Sequence, residues 1–211
     1  GKKVIPVWHI LRDNIRVSDL VVGDMEAQIA AARIGAERLV ELIDRYGKST
    51  FQAACDNVMD HAERLMRQAI AALPDGTYAA TTFIDGYLDD PDPSRKELPL
   101  CVAITIKGDE MVVDLTGTAP QVPDKPINMP LHGTVDIAIW LTVRSVLLDT
   151  AVHGHIPVND GLVRPIEIIA PVGCLANPIF PAPTIARFCP GNQLADTVMK
   201  ALAGVAPSQV S

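Results

Sequence analysis

Two kinds of hydrophobic periodicity divide the chain near residue 76. Before it, apolar side chains recur at steps of three and four. Met25, Ile29, Ala32, Ala36, Leu39 and Ile43 form one series, and Phe51, Ala54, Val58, His61, Leu65 and Ile70 approximate a second. Residues at that spacing share one helical face, so each series predicts an amphipathic helix. The first is expected from Asp24, a candidate N-cap, to about Tyr46, with Gly47 as its stop. The second is expected from Ser49 or Thr50 to about Leu73, ended by the turn Pro74-Asp75-Gly76. The short link at Gly47-Lys48 predicts an antiparallel hairpin packed through Ile29, Leu39, Ile43, Val58 and Leu65. Residues 1–23 alternate too irregularly for one element and are expected to form a docking arm.

Beyond residue 76 the period shortens to two. "GTYAATTFID" alternates as a strand does, and "LPLCVAITIKGDEMVVDLTGTA" is two β-rich runs turning at residues 107–110. The polar stretch "YLDDPDPSRKE" between them predicts a surface loop. Val135, Ile139, Thr142, Val143 and Val146 return to helical register and predict a buried helix. "RPIEIIAP" follows as a strand, and "NQLADTVMKALAG" as a last helix with Asn192 as cap and Gly204 as stop. The fold class is therefore α+β: a helical hairpin, then a mixed β-sheet with additional packed helices. The organisation expected is an arm over 1–23, the hairpin over 24–76 and an α+β part over 77–211.

Composition narrows the possibilities. With 48% hydrophobic residues among 211, the chain can bury a substantial core. Its net charge of −7 argues against nucleic acid as a partner, because a phosphate-binding surface needs a basic excess. No apolar run reaches membrane-spanning length. The four cysteines form no C-x-x-C pair and are expected to be reduced, mostly buried thiols of a cytoplasmic protein, Cys189 among them as a structural thiol. The 17 prolines concentrate in residues 91–130 and 157–190. They make 171–183 a stiff apolar connector, in which Val172, Leu175, Ile179 and Phe180 fit no helix or strand face. Ile179 and Phe180 are accordingly expected to be exposed, at a contact with another chain or segment. The chain begins without methionine and is expected to be a piece of something longer.

No strong catalytic signature is present: there is no Walker loop, G-x-S-x-G or H-E-x-x-H. His153 and His155 could offer two imidazoles to a metal, with Asp149 and Asp160 as the flanking carboxylates; a solvated loop is the plainer alternative. Asp13 and Asn14, near Asp24 and Gln28, could line a cleft at a helix start, or merely cap it and face water.

Several longer stretches carry a resemblance. "ILRDNIRVSDLVVGDMEAQIAAARIGAERLVELIDRYG", "AIAALPDGTY", "VDLTGTAPQV", "PINMPL", "IPVNDGLVRPIEIIAPVGCLANP" and the segment 187–203 together resemble the central part of the hydantoinase B/oxoprolinase family. The resemblance covers nearly the whole chain, and its order and spacing are more specific than any one motif. It implies a B-type subunit that works with an ATP-binding A-type subunit to open cyclic amides such as hydantoins or 5-oxoproline. In a related branch the substrates are ketones, carboxylated after enol phosphorylation. It also implies ATP and a divalent metal for the complete enzyme, with the metal-binding His and Asp motifs upstream of this segment, and partners in the A-type subunit and the remainder of the B-type subunit. No cofactor is then expected in the segment itself, which alone would be inactive or would serve only as an interface scaffold. Within this frame the connector delivers Arg187 and the helix of Asn192 to a cleft. One departure keeps the ketone branch open: Cys189-Pro190-Gly191-Asn192-Gln193-Leu194-Ala195-Asp196 replaces the common Gly-Gly-Asn followed by Glu-Thr-Ser.

Overall fold

The structure is a computed structural model that describes residues 2–149, 151 and 156–206. The chain divides into two compact units, residues 1–56 and 57–211. The boundary lies inside a helix, α3 (Lys48–Ala71).

The first unit contains α1 (Ile5–Asn14) and α2 (Ser18–Tyr46). The stretch expected to be irregular is thus largely helical. Pro6 sits in the first turn of α1, where its missing N–H costs nothing. The helix starts at Ser18 rather than Asp24, which becomes an exposed interior position and not a cap. The helical period is blurred before Met25 because Leu20, Val21 and Val22 are contiguous. Gly47 ends α2 with φ +82°, a conformation glycine adopts freely, and its N–H returns to the Ile43 carbonyl. Neither α1 nor α2 buries a residue.

The second unit is a four-stranded mixed sheet with helices on one face. Its strands are β1 (Gly76–Asp85), β2 (Glu97–Lys107), β3 (Glu110–Asp114) and β4 (Ile166–Ile169), in spatial order β1-β2-β3-β4. The first three are antiparallel, with the β2–β3 turn closing Lys107 onto Glu110 as the alternation predicts. β3 and β4 are parallel, so the chain crosses between them through α4 (Asp136–Leu147). The last helix, α5 (Phe188–Leu202), begins four residues before Asn192, which lies inside it and caps nothing.

Strict alternation puts Leu100, Val102, Ile104, Ile106, Met111 and Val113 on the helix-covered face. Against them pack Ala62, Met66 and Ile70 from α3, Ile139 and Val143 from α4, and Leu194, Val198 and Leu202 from α5. The residues expected to pack the hairpin are not buried as the sequence suggested. Ile29, Leu39 and Val58 are exposed, and Leu65 reaches the sheet core only partly buried. The stripe of α3 that is buried is offset by one residue from Leu65, because a helix on a sheet presents the row that fits between strands. Among the described residues no helix is long and apolar enough to cross a membrane.

Candidate functional site

The connector is where the sheet, α4 and α5 come together. Its first half is anchored by backbone pairing: Leu175 donates to the Ala119 carbonyl and accepts from the Met129 N–H, both at 2.8 Å. Leu175 is fully buried with Leu98, Ala119 and Val122 in a small second core. Gly173, at φ +85°, makes the turn that lets its N–H reach the Asn177 carbonyl. Asn128 holds the second half. This fully buried amide accepts from Val122 N–H and donates to the carbonyls of Val122 and Pro183, all at 2.8 Å. Prolines bring carbonyls without N–H groups, so side-chain amides supply donors: Asn128 to Pro183 and Gln121 to Ile179, whose own N–H donates to Gln121 Oε1 at 2.6 Å.

Beyond these anchors the connector turns outward. Phe180 is 95% exposed and Ile179 55%, as expected, and Val172, Ile185 and Phe188 are exposed beside them in sequence. The segment bounds a hollow of about 380 Å³ with Pro130, Leu131, His132, Asn177 and Thr184. His132 precedes Gly133, whose φ of +89° turns the chain into α4. Asp136 is buried there, and its Oδ1 accepts from the N–H groups of Gly133 and Ile137 at 2.8 and 2.6 Å. Its Oδ2 lies 3.6 Å from His132 Nδ1, close enough to pair with a protonated ring but too far for a hydrogen bond. The hollow offers apolar wall and one exposed imidazole, which suits contact with an apolar segment better than it suits bond-breaking chemistry.

The sequence candidates are divided by this architecture. Asp13, Asn14, Asp24 and Gln28 belong to the first unit and are exposed; the Asn14 amide donates back to the Ile10 carbonyl, closing the end of α1. Arg187 and Asn192 belong to the second. Arg187 borders the hollow through Thr184, whose carbonyl its side chain approaches at 3.5 Å, and its guanidinium lies 4.5 Å from the Phe188 ring centre. Asn192 is exposed on α5. His153 and His155 lie outside the described residues. Among the described residues no group of three or more His, Cys, Asp or Glu side chains could hold a metal ion. Cys189, expected to be a buried thiol, is exposed in the first turn of α5, as is Cys55 on α3, whereas Cys174 is buried and its thiol is pushed up by desolvation. Sequence reading missed His132, Asp136 and Asn128. A His-Gly pair just before a helical series was the available signal for the first two.

A family model described as Hydantoinase B/oxoprolinase matches residues 1–211. The chain is 63% identical over its whole length to a protein of Pseudomonas sp. (strain NS671) named as the B-type component of a D-/L-hydantoinase, of which it covers 36%. It is 31% identical to the caprolactamase subunit beta of Pseudomonas jessenii, covering 35% of that protein. The crystal structure of the ATP-dependent caprolactamase from Pseudomonas jessenii superimposes on 99% of the chain with a TM-score of 0.83 at 29% identity. A nucleotide-free acetone carboxylase superimposes on 98% with the same TM-score at 16% identity, a likeness of fold alone. The chain spans about a third of the length of the curated relatives it matches most fully.

Proposed function

Because the chain belongs to the hydantoinase B/oxoprolinase family, we propose that it is the central part of a B-type subunit of an ATP-dependent cyclic-amide hydrolase. The complete subunit works with an ATP-binding A-type subunit to open a hydantoin or 5-oxoproline ring. The chemistry is phosphorylation of the amide oxygen by ATP, which releases ADP, followed by attack of water at the activated carbon and loss of phosphate. The observation that carries this reading is the 63% identity, extending across the whole chain, to a protein named as the B-type component of a hydantoinase. ATP and a divalent metal act in the complete enzyme, in a reducing, cytoplasmic setting that free thiols such as Cys55 and Cys189 tolerate.

In this reading the segment does not carry the chemistry by itself. Its contribution is a rigid sheet that holds the connector, Arg187 and the exposed apolar side chains against the rest of the subunit or against the A-type partner. Within the first unit Asp13, Asn14, Asp24 and Gln28, and within the second Arg187 and Asn192, are the candidate substrate-facing groups. Exposed apolar side chains such as Phe180, Ile179 and Ile185 are the contact candidates, since contiguous apolar surface of a few hundred Å² marks such contacts. The test is to co-express the complete subunit with its A-type partner and offer ATP with hydantoin, 5-oxoproline or caprolactam. Ring opening coupled to ADP release is expected. Carboxylation of acetone with bicarbonate, without opening of any cyclic amide, would move the protein to the ketone branch.

A further inference from the structure

The two ends of the sheet are unlike. β4 has four residues, exposes Glu167, and lies between Pro165 and Pro171. Shortness, charge and proline are the usual guards on a strand whose outer N–H and C=O groups face water. β1 is long and holds no proline, and its single charge, Asp85, stands at its C-terminal end. It runs ten residues, pairs with β2 in unbroken register from Gly76↔Ile106 to Asp85↔Glu97, and has no bulge. From Thr77 to Ile84 it holds no charge and no proline. Its outward side chains are Thr77, Ala79, Thr81 and the 55% exposed Phe83, a neutral row of strand-forming type. Among the described residues β2 is its sole strand neighbour.

We propose that β1 is an interior strand in the complete subunit, hydrogen-bonded along its free edge by a further strand from the same polypeptide outside residues 1–211. This rests on the reading that the chain is part of a longer B-type subunit. Its occupant follows from proportion: the segment covers only 34% and 28% of the single chains it superimposes on, so ample polypeptide remains to supply a strand. A naked edge of about 34 Å is a template for aggregation, so its cover must form as the domain folds. A strand of the same chain is present at that moment at every concentration, whereas a second copy is not. The neutral row with one phenylalanine calls for an incoming strand rich in β-branched or aromatic residues, one of them opposite Phe83.

Hydrogen–deuterium exchange on the complete subunit tests this without any substitution. Alternate amides of β1 point away from β2; these are expected to exchange at least about a hundredfold more slowly than amides of an open edge, unchanged on dilution and without the partner subunit. Fast exchange in alternate β1 amides would overturn the proposal. So would protection that disappears on dilution, which assigns the edge to a second copy, or protection that needs the A-type subunit. Absence of ring-opening activity with β1 protected would defeat the functional reading and leave this one standing.

Discussion

α2 and α3 follow one another with only Gly47 between them, and both carry apolar residues at steps of three and four, yet they end in opposite environments. α3 buries Ala62, Met66 and Ile70 against the sheet; α2, with 29 residues, buries none. The difference lies in the breadth of the apolar surface. The buried positions of α3 lie four apart, in one row. On α2 the exposed apolar residues Ile29, Ile34, Leu39, Val40 and Leu42 fall on several faces, and a helix apolar on several sides is ordinarily enclosed by other helices. Periodicity thus identifies a helix without naming its partner. For α3 the partner lies within the second unit; α2 carries the same spacing and buries no residue.

Truncation should separate the two helices most sharply. Met66→Ala is expected to cost about 2–5 kcal/mol in urea unfolding of the second unit, as removal of a fully buried side chain does. Leu39→Ala in the same 211-residue chain should cost about 0.5 kcal/mol or less, since Leu39 is half exposed. Equal costs would erase the contrast. A larger cost for Leu39→Ala in the complete subunit would sharpen it.

A smaller effect is expected at the connector. Asn128→Ala removes the hydrogen bonds to the Val122 N–H and the Pro183 carbonyl, a net loss of about 1–3 kcal/mol for the two together. Proteolysis should then cut first within 178–184, while the sheet persists; an unchanged cleavage pattern would show that the prolines hold the segment unaided.

The smallest effect is electrostatic and belongs to the partly exposed side of α3. Arg164 hydrogen-bonds Asp60 and Glu63 at 2.9 and 3.0 Å, and Arg67 reaches Glu63 at 2.9 Å. The Glu63 carboxyl is held below the usual range, first by the Arg164 hydrogen bond and then by that of Arg67. A depressed folded pKa gives stability that is fully present above the unfolded value, about 4.3, and is lost as pH falls through the folded one. The difference in Tm between the native chain and Glu63→Gln should therefore close as pH drops below about 4. A gap that widens there would contradict the assignment.

Much of the second unit was legible in the sequence. β1 matches "GTYAATTFID" residue for residue, the β2–β3 turn falls where its polar tetrad sits, and the helical series of Val135 to Val146 is buried as its register required. Local patterning sufficed because each of these elements meets its neighbour with a single face. The start of α2 was hidden by contiguous Leu20, Val21 and Val22, and α1 by its mixed pattern. The side chains around the hollow were less legible. His132 and Asp136 are joined by a turn at positive φ, and Asn128 reaches Pro183 across 55 residues. Such a contact depends on tertiary folding and leaves no period in the sequence.

Under the proposed function this segment supplies support and contact surface to an ATP-dependent enzyme whose chemistry needs the rest of the assembly. The most direct measurement compares ADP release and ring opening of hydantoin or 5-oxoproline by the purified 211-residue chain with that by the complete subunit and its A-type partner. ATP-coupled turnover by the complete pair and none by the isolated chain is the expected result. Steady turnover by the isolated chain would contradict it.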